Sequence, residues 1–299
     1  MATTPARQKL RALLDKRELV IAPGVFDGIT AHLARRTGQP AAYMTGAGVA
    51  ASGFGLPDIG LVTGTEMAER ARMLVGVLED VPLIADADTG YGAAMNVVRT
   101  VRLYEQAGVA AIQLEDQVFP KRCGHLEDKH VVDAAEFGQT LAAALDARND
   151  ENLLVVARTD ARAPLGLDAA IERANRYAQA GADVIFVEAP QSIDEIERIA
   201  RDVSAPLLIN LVLGGMTPLE SATRLQELGY AIAIHPSNPL ARAVLGMLEG
   251  FCELNGDGSS RVADYLPTRP AEFFNLVGMA EWLDLDARYA STQNMEEAR

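Results

Sequence analysis

Eight short apolar runs, each followed by a helix-like stretch, constrain this chain more than any other feature. They span Val20–Ala22, Ala41–Thr45, Pro82–Asp86, Ala110–Glu115, Leu153–Arg158, Asp183–Glu188, Pro206–Asn210 and Ala231–His235. Each is near-continuously apolar, the pattern of parallel strands covered on both faces rather than of a half-exposed sheet. Between them lie helical patterns such as Leu167–Asp183 and Ser192–Pro206, with apolar residues every three or four positions and Gly or Pro at the end. The phrases EQAGVAAIQLE, AQAGADVIFVE and QELGYAIAIHP repeat one shape: helix end, glycine, strand. Right-handed crossovers then leave two architectures, a closed (β/α)8 barrel of the TIM type or an open doubly wound sheet.

The polar residues decide between them. Asp86 and Asp88, Glu115, Arg158 and Asp160, Glu188, Asn210 and His235 all fall at the C-terminal ends of successive runs. A closed barrel gathers those ends into one mouth, whereas an open sheet scatters them along an edge. The barrel is therefore expected. The chain's 299 residues then form one domain over 1–299, in which Ala241–Leu254 supplies the last barrel helix and 262–299 a C-terminal helical extension. That extension carries Phe273, Phe274 and Trp282, an apolar load suited to docking on its own barrel or on a neighbouring subunit.

With 27 Lys+Arg against 41 Asp+Glu the formal charge is −14, which opposes a nucleic-acid partner. Two cysteines, Cys123 and Cys252, cannot build a disulfide framework. The charged segment beginning at Arg7 is not a signal peptide, and no run approaches the length of a membrane span. A cytoplasmic protein is expected.

The densest chemistry lies in DADTGYG at Asp86–Gly92. Asp86 and Asp88, with Asp58 upstream and Glu115 on the next strand, form an oxygen-rich set that cannot stay ionised together without a cation. Oxygen ligands select Mg²⁺ or Mn²⁺ over zinc. In the next segment, Glu115–Lys129, Cys123 sits among Lys121, Arg122 and His125, with Gly124 allowing the loop to bend. Cationic neighbours are expected to lower its thiol pKa and fit it for proton transfer. Cys252, inside an apolar helical pattern, reads as a buried or incidental residue. The glycine-rich stretch after Tyr43 lacks a dinucleotide fingerprint, and a turn at Thr45, Gly46 and Ala47 has amides suited to a carboxylate. Arg158 is suited to bidentate carboxylate capture, or to an ion pair with Glu188 or Asp160.

DADTGYG, LEDQVFPKRCGH, ARTDA and VEAP, in this order, resemble the isocitrate lyase/phosphoenolpyruvate mutase superfamily, from roughly Leu10 to Tyr289. KRCGH is the most specific element, and the resemblance is greatest to the methylisocitrate lyase and 2,3-dimethylmalate lyase-like branch. It implies a Mg²⁺-dependent (β/α)8 barrel, a homotetramer exchanging its C-terminal helix, and a small carboxylate substrate. It also implies metal binding by Asp86 and Asp88, with Asp58 and Glu115 acting through water, and carboxylate binding by Thr45, Gly46 and Ala47. Arg158, Glu188, Asn210 and Gly124 would contact substrate, and Cys123 would be the catalytic acid, aided by Lys121 and His125. Tyr43 or a metal-associated carboxylate would be the base. Arg242 and Arg269 resemble late arginines of the family. After Asn210 this chain has Val212 and Leu213 where methylisocitrate lyases carry a hydroxyl residue and a Glu. A third substrate carboxylate would lose partners there, which favours an alkyl-bearing 2-hydroxy dicarboxylate. Oxaloacetate decarboxylation or hydrolysis, a phosphonate mutase and a non-catalytic carboxylate-binding barrel are the competing readings.

Overall fold

Parallel pairing links eight strands in chain order and closes the last on the first. They are β1 Val20–Val25, β2 Ala42–Met44, β3 Leu83–Asp86, β4 Ala111–Glu115, β5 Leu154–Thr159, β6 Val184–Val187, β7 Leu207–Asn210 and β8 Ile232–His235. The computed structural model describes residues 4–126, 128–256, 258 and 270–296. Arg269 and most of the Asn255–Arg261 break lie outside them.

Burial follows the strand pattern. Inside the barrel Val20, Ala22, Tyr43, Ile84, Leu154, Val156, Val184, Phe186, Leu208, Ile232 and Ile234 pack together, with Leu10 of the helix Pro5–Asp15. Ile112, Leu114, Val155, Ile185 and Ile209 belong to the second layer, shared with the surrounding helices. Both faces of each strand are therefore covered, which is why the runs read as continuous rather than alternating. The N-terminal helix is more deeply integrated than its charged sequence suggests. Arg7 is fully buried and donates to Val109 O, Glu105 O and Asp150 Oδ2 at 2.9, 2.6 and 3.0 Å.

Register sets the mouth. Asp86 pairs with Gln113, Glu115 with Arg158 and Asn210 with Ile234, a staggered register that keeps the polar residues at the C-terminal ends of their strands. After β2 the chain does not make a simple turn. Thr45 caps a short helix, Gly46–Val49, accepting from Gly48 N at 3.2 Å, and a π-helical turn Ala50–Phe54 follows. The next long helix, Gly64–Leu78, opens on a Thr63/Glu66 capping box.

The described chain divides into two units, Met1–Arg242 and Ala243–Arg299, with the boundary inside the helix Ser237–Gly256. The second unit thus begins earlier than the extension expected from residue 262. It holds the helices Pro270–Leu276 and Met279–Glu296 and leaves Leu245, Leu248, Phe251, Phe274 and Trp282 exposed. Cys252 is exposed there too, so of the two expected readings it is the incidental residue and not the buried one. Among the described residues no helix is long and apolar enough to cross a membrane.

Candidate active site

At the ends of β3 and β4 the acids gather around Gly46 and Lys121. Gly46 N donates to Asp86 Oδ2 at 3.2 Å, and a Cβ on Gly46 would stand 2.7 Å from that oxygen, so only glycine lets the backbone approach. One of the amides expected to receive substrate therefore holds Asp86. Asp88 follows with φ 47, left-handed backbone that a non-glycine residue adopts at a cost in strain. Its amide donates to Asp86 Oδ1 at 3.2 Å, fixing the two carboxylates side by side.

Lys121 supplies the local positive charge. Its buried ammonium pairs with Asp58 and stands 2.9 Å from Asp88 Oδ1, close enough for an ion pair but without the alignment of a hydrogen bond. Burial would lower the Lys121 pKa, but Asp88, Asp86, Glu115 and Asp58 outweigh it and hold the ammonium charged. The expected catalytic lysine is thus a counter-ion to the acids. Burial lifts the Asp88 carboxyl to about 7 against the pull of Lys121, and raises Glu115 despite Arg158 beside it.

The four expected metal residues do not form one ready cluster. Among the described residues no three acidic, His or Cys side chains come together to ligate an ion. Lys121 stands between Asp58 and Asp88, and Glu115 Oε2 is turned to Arg158 NH1 at 3.2 Å. Still, Glu115 Oε1 is buried without a hydrogen-bond partner among the described residues, and Asp88 Oδ1 has only the Lys121 ammonium beside it. Such a set of carboxylate oxygens beside Asp86 fits a hard divalent cation, whose charge would keep these acids ionised.

The barrel interior adds a link that the sequence reading missed. Tyr43 OH donates to Gln113 Oε1 at 3.0 Å, and Gln113 Nε2 donates to Asp86 Oδ1 at 3.3 Å. Burial, then Asp86, pushes the Tyr43 pKa well above its usual value. Tyr43 is thus a donor in a chain that reaches Asp86. The available signal for Gln113 was a lone amide interrupting the apolar run AAIQL.

Across the mouth Arg158 is already paired. Asp160 takes its Nε and NH2 at 2.8 and 3.0 Å, and Glu188 Oε2 lies 3.4 Å from NH2. Of the two uses expected for this arginine, the internal pair holds the fork: a buried guanidinium must be compensated within the fold. Substrate would meet the edge now shared by Glu115 and Glu188. Asn210 Nδ2 donates to Glu188 Oε2 at 3.2 Å, leaving Asn210 Oδ1 buried and without a partner among the described residues.

The Cys123 loop lies over this arrangement. A Cβ on Gly124 would fall 2.4 Å from Arg158 NH2 and 2.6 Å from Glu188 Cγ, so the loop backbone rests directly on the mouth. His125 Nδ1 accepts from Met216 N at 3.1 Å, which puts the ring proton on Nε2, 3.4 Å from Glu188 Oε1. Burial lowers the His125 pKa, so the ring is neutral and orients Glu188. Cys123 is half-buried, and burial raises its pKa while the His125 amide opposes the rise. This reverses the expected lowering. Lys121 faces Asp58 and Asp88, and the half-exposed Arg122 lies 3.7 Å from Asp128, so the sequence neighbours do not act as cations on the thiol. The result is a protonated sulfur above the mouth.

A closed eight-stranded parallel barrel with buried acids and a buried arginine at the C-terminal ends of its strands has the architecture of a TIM-barrel enzyme. The chain belongs to the phosphoenolpyruvate mutase/isocitrate lyase superfamily, since the family model described as phosphoenolpyruvate phosphomutase matches residues 10–254. The 2,3-dimethylmalate lyase of Eubacterium barkeri is 44% identical over 284 residues, covering 95% of this chain and 98% of that protein. The 2-methylisocitrate lyase of Aeropyrum pernix is 43% identical over 279 residues, covering 93% and 89%. A crystal structure of 2,3-dimethylmalate lyase superposes with a TM-score of 0.91 at 38% identity, covering 97% of this chain and 96% of that one. Phosphonopyruvate hydrolase, in complex with oxalate and Mg²⁺, gives a TM-score of 0.83 at 30% identity over 97% of this chain and all of that one. Within the superfamily this chain is a carbon–carbon lyase.

Proposed function

We propose that the enzyme cleaves the C2–C3 bond of an alkyl-bearing 2-hydroxy dicarboxylate of the 2,3-dimethylmalate type, giving pyruvate or a similar α-keto acid and a carboxylate, with Mg²⁺ as cofactor. The observation that carries this reading is the Cys123 loop, whose Gly124 backbone rests on Arg158 and Glu188, with burial raising the pKa of the adjacent thiol. The C2 hydroxyl loses its proton to a carboxylate of the mouth. As C2 becomes a ketone, the C2–C3 bond breaks and its electron pair moves into the carboxylate fragment as an enolate. Cys123 then protonates C3, and the resulting thiolate returns to the thiol by taking the proton removed from the hydroxyl or one from solvent.

Arg158, Asn210 and the Thr45–Ala47 segment are suited to hold the two carboxylates and to meet charge as it develops. Asp86 and Asp88, with Glu115 and Asp58 farther out, would hold the cation, which supplies Lewis-acid polarisation of the hydroxyl and its neighbouring carboxylate. Beside Asn210, half-buried Val212 and exposed Leu213 offer no partner for a third carboxylate, which supports a dicarboxylate over 2-methylisocitrate. Two free cysteines and the carboxylic-acid chemistry suit the cytoplasm. The apolar helices of the second unit suit an assembly of four copies that exchange this segment.

Purified enzyme with Mg²⁺ should be assayed against 2,3-dimethylmalate, 2-methylisocitrate, oxaloacetate and phosphonopyruvate, with both products identified. Highest kcat/KM for 2,3-dimethylmalate, with α-keto acid and carboxylate formed in equal amounts, is expected. Preferred turnover of 2-methylisocitrate would remove the dicarboxylate assignment. Exclusive turnover of oxaloacetate or phosphonopyruvate would remove the lyase chemistry itself.

A further inference from the structure

Lys129 is not used by the chemistry above, yet it is 4% exposed just beyond the Cys123 loop. Its ammonium donates to the Gly124 carbonyl and to Asp160 Oδ1, the latter at 2.8 Å. The two contacts join different parts of the molecule. Gly124 is the residue on which the loop meets Arg158 and Glu188. Asp160 belongs to the barrel wall: it grips Arg158 twice, and its own amide donates to Asp116 Oδ1 at 2.9 Å. Asp116 is fixed in turn by Thr159 Oγ1, Tyr177 OH and Arg173 NH1 at 2.7, 2.9 and 3.1 Å.

We propose that Lys129 is a positioning residue, a latch whose ammonium ties the Gly124 carbonyl to Asp160 and so holds the loop that carries Cys123 against Arg158. The role given to Cys123 rests on the lyase reading. Other ties of the loop, such as Gln117 Nε2 to Arg122 O at 2.8 Å and Val118 N to His130 O at 2.8 Å, fasten its base. Lys129 reaches the residue next to the thiol. A buried ammonium is costly unless it is paired, and Asp160 pairs it through a contact separate from the one to Gly124 O. The same Asp160 sets the Arg158 fork, so one carboxylate fixes both the anion-binding guanidinium and the lid that covers it.

The test uses the full chain in a Cys252→Ser background, since exposed Cys252 would otherwise react. Iodoacetamide labelling of Cys123 is followed by mass spectrometry without substrate. Lys129→Met should raise the labelling rate at least tenfold and lower kcat at least tenfold with KM within threefold, because Asp160 still holds Arg158. Lys129→Arg, which keeps the charge and its donors, should restore most of the protection and most of kcat. Should the Met variant fail to fold, Lys129→Gln keeps one donor and serves in its place, with faster labelling expected. Labelling of either folded variant at the parental rate overturns the latch, and faster labelling with unchanged kcat overturns its part in catalysis. Labelling needs no substrate, so failure of the lyase reading leaves this result standing on its own.

Discussion

Lys121 sets its ammonium 2.9 Å from Asp88 Oδ1 while pairing with Asp58, so a side chain occupies the position of positive charge among the acids. Replacing it with Met leaves Asp58, Asp86 and Asp88 without that counter-ion. Breaking a buried pair costs about 3–5 kcal/mol, and the lower end applies because Asp88 takes up a proton readily. A ligand that binds only the folded state restores stability by mass action. Lys121→Met is therefore expected to melt well below wild type in chelator and to regain more of that loss with Mg²⁺ than wild type gains. Thermal melts with and without Mg²⁺ check this, and equal Mg²⁺ responses would count against the acids as the cation site.

Burial raises the pKa of the Cys123 thiol, which suits the acid role proposed for it. Cys123→Ala and Cys123→Ser should each lower kcat by about 10²–10⁴, the usual worth of a positioned proton donor, with the melting temperature little changed. The active form is the thiol. Since burial raises its pKa, the alkaline fall of kcat should lie above the ordinary thiol range. A pH–rate profile of wild type, with steady-state kinetics of both variants, measures the two effects together.

The barrel and the positions around its mouth were legible because each apolar run ends in a polar residue, and a closed parallel register brings those ends to one mouth. Their pairings were not. Arg7 lies in a segment that reads as a solvated helix, yet its partner Asp150 is 143 residues away. Nothing in the sequence around Lys129 marks its pairing with Asp160, 31 residues away. The thiol was misjudged for the same reason: Lys121 is two residues from Cys123 in sequence, but its ammonium belongs to Asp58 and Asp88. Sequence spacing reports which groups reach a mouth, whereas charge state depends on partners supplied by other strands.

Gly46 tests how closely the backbone must approach the acids. A methyl group there would stand 2.7 Å from Asp86 Oδ2, where the Gly46 amide now donates at 3.2 Å. Asp86 must move or the short helix must shift. Gly46→Ala should lose at least tenfold in kcat/KM and weaken Mg²⁺ binding in calorimetry, while the melting temperature falls by no more than a few degrees. A variant with unchanged Mg²⁺ affinity would show that Asp86 does not depend on this contact.

The second unit exposes Trp282 at 70%, with Leu245, Leu248 and Phe251 on the preceding long helix. Apolar area of this kind marks an association surface. Light scattering of the eluting full chain is expected to give the mass of four copies, and Trp282→Asp to shift it to smaller species with the barrel's circular dichroism retained. A monomeric wild type would remove the assembly from the proposal.

Asp160 makes acid stability a property of the latch and the arginine together. Burial alone would raise its carboxyl, but Arg158 and Lys129 outweigh that and hold it at about 2, below the ordinary 3.8. A carboxyl with a depressed folded-state pKa takes up fewer protons folded than unfolded between those two values. Its contribution is complete above about pH 4 and is lost as pH falls through 3.8 toward 2. Asp160→Asn removes this dependence and also leaves Arg158 and Lys129 short of an anion, so its stability near neutral pH should drop by about 3–5 kcal/mol. Urea unfolding at a series of pH values should thus show the gap between wild type and Asp160→Asn narrowing only below about pH 4. A gap that stays constant down to pH 2 would mean that the pairs made by Asp160 do not hold its carboxyl ionised.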